Sequence, residues 1–405
     1  ANTTANAANT TANTANTTAN AALNAVNQSL NTTNYFHVNN GSNAAGSTDA
    51  LTSNSDKVGL AGGAQGLNSI AAGLEATTTT AAAGSIVMGY KSSAASEDAI
   101  VIGSGSSVST DSANATVIGK NSSVQTNSTN ATVLGSNSVA EANSVNATVV
   151  GQFSAAGKDS VNATVVGSRS YVRPNTNDGT ALGHYAGVDN STTNGTSVGA
   201  RTWVGEKVKN GTALGVYNLV GNNTQNTIAV GVANNVKDGV KNNTIIGHGN
   251  TIASNGTTVL GNNLNIAAGL DEAVVLGNHS TTTGSHPIAN VTEATVGNLT
   301  YSGFKGTVAG AGSFVSVGAT GNERKLINVA AGNISATSTE AINGSQLYYV
   351  ATELNSFAST AQSTAIAVST TASTALSTAN TANSTASTAA STARAVSTTA
   401  STAKA

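Results

Sequence analysis

The chain has 405 residues, of which 39% are hydrophobic, 3% aromatic and 8% charged, and its net charge is −2. That balance gives no basic footprint for nucleic acid or an anionic membrane, and the absence of cysteine excludes disulfides and thiolate metal sites. Without positional order such a composition reads as disordered, so any fold has to come from periodicity.

In chain order, residues 1–33 place apolar groups at Ala1, Ala5, Ala8, Ala12, Ala15, Ala19, Ala22 and Val26. Alternating steps of four and three are coiled-coil spacing, and they predict an α-helical stalk segment. The amino terminus has neither the basic start nor the apolar run of a signal peptide. Both ends stop within a continuing pattern, so the chain is expected to be an interior piece of a longer fibre. Residues 34–57 form a lead-in with no period of their own.

Residues 58–282 carry an internal repeat. Gly103, Gly119, Gly135, Gly151, Gly167, Gly183, Gly199, Gly215, Gly231 and Gly247 recur every 16 residues, and Gly89, Gly261 and Gly277 extend the series with two shorter steps. Short β-branched runs such as Ala115-Thr-Val-Ile118 precede each glycine. A period of this kind predicts a solenoid in which each repeat is one turn of stacked parallel strands.

Two apolar columns define the turn. The two residues ahead of the glycine are apolar in nearly every copy, with Ser197 as the exception, so both faces of that strand must be covered. Five residues past the glycine runs a second column, Val108, Val124, Ala140, Ala156, Val172 and onward. One face of the first strand can pack on this second strand. The other face requires a partner, and side-by-side copies of the same chain are the economical answer.

A connector spans 283–315. Residues 316–346 then read as a neck, and 347–405 return to heptad spacing from Leu347 through Leu354, Phe357, Val368 and Val396, with a stutter between Phe357 and Ala365. Within the neck stand Arg324, Leu326, Asn328, Val329, Ala330 and Gly332, followed by Thr339, Ala341, Ile342, Asn343, Gln346 and Leu347. This pattern resembles the neck of the trimeric autotransporter adhesins, with Leu326 in place of isoleucine and Glu340 in place of aspartate. The Thr116-Val-Ile-Gly-Lys-Asn-Ser segment and its copies resemble the YadA-like head repeats of that family, which are commonly two residues shorter. Asn34–Asn39 resembles the entry to such heads.

The resemblance implies a left-handed parallel β-roll assembled as a homotrimer, flanked by three-stranded coiled-coil stalks. It also implies attachment to host matrix, host cells or other bacteria at the surface of a Gram-negative bacterium, hence virulence. Anchoring in the outer membrane would come from a segment outside this sequence. Arg324, Leu326, Asn328, Val329, Gly332, Ile342, Asn343, Gln346 and Leu347 are the implied trimerisation residues.

No catalytic constellation is expected. His37, His184, His248, His279 and His286 lack metal-ligand spacing, and the many serines come with no nucleophile elbow or paired base. Enzyme, cofactor and metal are therefore not expected. One unusual column does stand out: two residues past successive glycines lie Phe153, Arg169, Tyr185, Arg201 and Tyr217, and four residues past lie Tyr171, Gly187, Trp203 and Leu219. If the strand is regular there, both columns share one outer side. They read either as a self-stacking ladder or subunit-boundary layer, or as an exposed patch of the residue types that dominate binding hot spots.

The competing reading of function is a structural spacer that projects a more distal head. A third, an ice-binding ladder of Thr116, Thr132, Thr148 and their successors, is disfavoured by the bulky aliphatic residue two positions on.

Overall fold

The computed structural model describes residues 2–32, 36–38, 63–282 and 291–404. The remainder of the lead-in, the first residues of the repeat array and residues 283–290 of the connector, with His286, lie outside them. The chain divides into two compact units, 1–290 with 308–324, and 291–307 with 325–405.

The first unit contains the expected solenoid. A 16-stranded sheet carries the strand that leads into each glycine, and from Thr196–Ala200 to Thr258–Asn262 that strand runs one residue past it. A 13-stranded sheet carries a short strand four and five residues past the glycine. Successive turns pair in parallel with no slip, as in Thr132↔Thr148 and Val133↔Val149 on one sheet and Val139↔Ala155 on the other. Counting one short strand per turn, the roll has about thirteen turns. Its first edge is closed by Phe36–Val38, which pairs antiparallel with Ile70–Ala72, and its last by Val315–Ser316, parallel to Val274–Val275.

The glycine column follows from backbone geometry. Gly119, Gly135, Gly151 and Gly167 have φ between +135 and +147°, and a Cβ on any of them would overlap the carbonyl oxygen of the glycine one turn on. Only glycine tolerates both conditions. Gly73, at φ +123°, belongs to the same column, one turn ahead of the series read from sequence.

Alternation decides which residues form the core. Val117, Val133, Val149 and Val165 face inward and are fully buried, as are Val124, Ala140, Ala156 and Val172 on the opposing short strands. Small changes compensate across this narrow interior. Where the residue four before the glycine shrinks from Ala163 to Gly179 and Gly195, a Cβ there would crowd the methyl groups of Thr176 and Thr192, which replace the serines of earlier turns. The residue immediately before the glycine faces out, leaving Met88, Ile118, Leu214, Ile246 and Leu260 exposed at 42 to 53%.

The core also contains polar ladders. Ser122, Ser138 and Ser154, three residues past the glycine, are buried. Each hydroxyl donates to the glycine carbonyl of the next turn, Ser138 Oγ to Gly151 at 2.6 Å, and Ser122 and Ser138 also accept the next serine's N–H, Ser154 N to Ser138 Oγ at 3.2 Å. From Asn218 the same role passes to asparagine, whose Nδ2 donates to Gly231 O at 2.6 Å while its Oδ1 accepts from Asn234 N at 2.9 Å. Ser197, the polar exception among the inward residues, is buried and donates to Thr202 O at 2.8 Å. Every such bond removes an orphaned backbone group from a dry interior.

The two segments with heptad spacing are helices: α1 (Asn2–Thr32) and α2 (Gly344–Thr402). Their threonines bond back one turn, as Thr378 Oγ1 does to Thr374 O at 3.0 Å. None of the residues of α2 is buried. Within the second unit, Glu293–Val296 and Leu299–Ser302 form an antiparallel hairpin.

Candidate functional site

The two residue columns singled out above fall on the short-strand side of the roll, across the core from the exposed aliphatic ridge. They do not share one regular strand side. The residue two past the glycine turns the corner in the left-handed region, with φ of +54 to +56° at Phe153, Arg169, Tyr185, Arg201 and Tyr217. The short strand begins only at the fourth residue past the glycine, as at Tyr171 and Trp203. In other turns this corner holds residues such as Asn121 and Asn137, types that enter the left-handed region readily. Five bulky side chains in succession therefore occupy a conformation that costs them about 1 to 3 kcal/mol each.

The corner residues form one ladder. The Arg169 guanidinium lies between the Phe153 ring at 5.7 Å and the Tyr185 ring at 5.5 Å, and Arg201 lies between Tyr185 at 5.8 Å and Tyr217 at 5.4 Å. Arg201 Nη1 donates to the Tyr217 hydroxyl at 2.9 Å, and Arg169 Nη1 donates likewise to Tyr185. His184 packs edge-on to Tyr185 at 4.5 Å. Both arginines remain exposed.

The strand column forms a separate cluster. Tyr171, Gly187 and Trp203 are register partners, and the missing side chain of Gly187 lets Trp203 reach Tyr171 edge-on at 5.2 Å across two turns. Arg173, which sequence reasoning missed, lies 4.9 Å from the Tyr171 ring and 5.8 Å from Trp203, and pairs with Asp189 at 3.1 Å. Its signal was present: in a strand the residue two beyond Tyr171 returns to the same side. Leu219 is the exposed register partner of Trp203 and extends the column by one turn.

The charges of the ladder and of the cluster differ in kind. Asp189 neutralises Arg173, whereas Arg169 and Arg201 take part in no ion pair among the described residues. None of residues 152–155, 168–171, 184–187, 200–203 and 216–219 is acidic.

The implied neck residues are divided between the units. Arg324 belongs to the roll, where its Nη2 donates to Asn278 O at 2.5 Å and its Nη1 to Ser280 Oγ at 3.0 Å, at the last turn. The others lie in the second unit. Asn343 caps α2 and donates to Val329 O at 3.1 Å, while Gln346 Nε2 donates to Gly332 O at 2.6 Å and its Oε1 accepts from Gly332 N at 3.0 Å. Glu340 accepts the Asn333 N–H at 2.8 Å, and Asn328 adopts φ +61°. Leu326, Ile342 and Leu347 are 66 to 73% exposed.

Among the described residues no group of three His, Asp or Glu side chains could hold a metal ion, and no helix is long and apolar enough to cross a membrane. The threonine column is half-buried beside the aliphatic ridge, not paired with a second threonine row. No protein-family model matches the chain, and no curated protein matches it.

Proposed function

We propose that this chain is a segment of a non-enzymatic bacterial surface adhesin of the trimeric autotransporter kind. Three copies of the roll would pack side by side and present a ligand-binding face outward. The observation that carries this reading is the division of the roll into two unlike exposed faces. One is an aliphatic column from Met88 to Leu260, exposed at Met88, Ile102, Ile118, Leu214, Ile246 and Leu260 and half-buried in most turns between, the type of apolar surface that marks association. The other is the arginine–aromatic ladder, built from hot-spot residue types on strained backbone. The exposed apolar groups of the neck and the unburied α2 favour the same assembly.

Two measurements test it. Light scattering on the purified chain should give the mass of three copies, and aspartate at both Ile246 and Leu260 should return single chains. Immobilised chain should retain host cells or matrix proteins, and Arg169→Asn with Arg201→Asn should reduce retention at least severalfold with no fall in melting temperature, since asparagine enters the left-handed corner more readily than arginine. A well-folded monomer at micromolar concentration overturns the assembly. Retention equal to an uncoated surface leaves the alternative, a spacer that projects a more distal head, which the 59-residue exposed helix α2 suits.

A further inference from the structure

The ladder contains a repeated unit. Arg169 with Tyr185, and Arg201 with Tyr217, are each an arginine whose Nη1 donates to the phenol oxygen of the following turn. A guanidinium has five N–H donors, so four remain on each. The phenol oxygen that accepts from arginine keeps its own proton to donate. Each unit therefore offers several donors and a full positive charge to one anion, and flanking rings hold each guanidinium on both sides. Such an arginine loses little further freedom on binding, and its planar fork matches a carboxylate or sulfate.

The two units lie two turns apart, about 9.6 Å along the roll. That is the length of one disaccharide in an extended chain. We infer that the ladder binds an extended acidic polysaccharide laid along the roll axis, with one carboxylate or sulfate per disaccharide seated on each arginine–tyrosine unit. This rests on the proposal that the ladder face is the attachment face, and names its ligand class.

The uncompensated charge supports an anion over a neutral partner, since no acidic residue lies at the same corner or on the adjoining strand in these turns. A polysaccharide with one charge per disaccharide meets the two arginines charge for charge, whereas a nucleic-acid strand with a phosphate about every 3.4 Å would leave two of every three phosphates without a partner on the ladder. The ring faces argue the same way. Stacked on guanidinium, the Tyr185 ring has arginine on both sides and is closed to the bases that single-stranded nucleic acid needs to stack.

Titration calorimetry of the assembled chain with heparin fragments of two, four and eight sugars tests the inference, with neutral dextran and oligothymidylate as comparisons. Four- and eight-sugar fragments should bind, and the two-sugar fragment at least tenfold more weakly. Arg169→Asn or Arg201→Asn alone should bring four sugars down to the two-sugar affinity, and the pair together should abolish binding. Asparagine is the column's own residue at 121 and 137, so the fold is retained. Tyr217→Phe should weaken binding severalfold with no change in melting temperature.

Equal affinity for two and four sugars, undiminished binding by the double variant, or tighter binding of oligothymidylate each overturns the inference. If the double variant loses cell attachment while the parent chain ignores heparin, the attachment face stands and its ligand is of another class. If attachment is also unchanged, both readings of the ladder fall together.

Discussion

At the scale of single residues, stability is carried by contacts that leave no room for substitution. Gly151 combines φ +135° with a backbone carbonyl where its Cβ would stand, whereas Gly239, at φ +78°, has nothing within 4 Å of that position. Gly151→Ala is therefore expected to cost about 3 kcal/mol or more, from strain plus overlap, and Gly239→Ala only the strain of about 1 to 2 kcal/mol. Thermal or denaturant unfolding of the two variants checks the ranking. Equal losses would mean that φ alone, and not the approach of the next turn, fixes the glycine column. Ser138→Ala should cost about 1 to 3 kcal/mol, because it orphans the Gly151 carbonyl and the Ser154 N–H bonded to its hydroxyl. A loss much below that range would mean that water reaches the ladder.

At the scale of elements, each strand is too short to persist alone and each helix is too polar. The short strands contain two residues apiece, and α2 buries none of its residues. Its start is nevertheless well defined: Asn343 and Gln346 form a reciprocal capping box, and Asn343 also reaches Val329. Asn343→Ala should remove about 1 kcal/mol from that terminus and raise amide exchange over the first turn of α2, with exchange in the roll unchanged.

Long Ser/Thr helices have weak intrinsic propensity. A peptide of residues 344–402 should therefore show helicity that climbs with concentration in circular dichroism. Concentration-independent helicity would remove the seam as the stabilising feature. The strands, the two helices and the turn period were legible because period survives any composition. The polar ladders were not, since a buried serine and an exposed one look alike until the chain closes a turn. Arg173 and the contact of Trp203 with Tyr171 over Gly187 escaped for a related reason: Trp203 spans two turns to Tyr171, and a one-dimensional column shows only nearest neighbours. The left-handed corner likewise broke the assumption that the two aromatic columns share one side.

At the scale of the whole chain, the buried polar groups are all Ser, Thr and Asn, with no ionisable side chain among the described buried residues. Protons therefore have little leverage on the core. Asp271 is held below its ordinary value of 3.8 mainly by the Asn255 backbone N–H, and Glu323 below 4.5 by its own and the Gly321 backbone N–H groups. A depressed carboxyl contributes stability that is complete above its unfolded value and disappears as pH falls through the folded one. Both groups are solvent-exposed, so melting should be flat from about pH 5 to 9 and decline only slightly below about pH 4.

Concentration is the stronger lever. If like copies cover the aliphatic ridge, mass action ties stability to chain concentration, and the melting temperature should rise through each tenfold increase at neutral pH. Aspartate at Ile246 and Leu260 should flatten that dependence without abolishing the parallel ladders, because both side chains face away from the core. A parent chain whose melting point ignores concentration while it scatters light as a single copy would mean that the ridge is not an assembly surface. The valine columns and hydroxyl ladders would then hold the roll on their own.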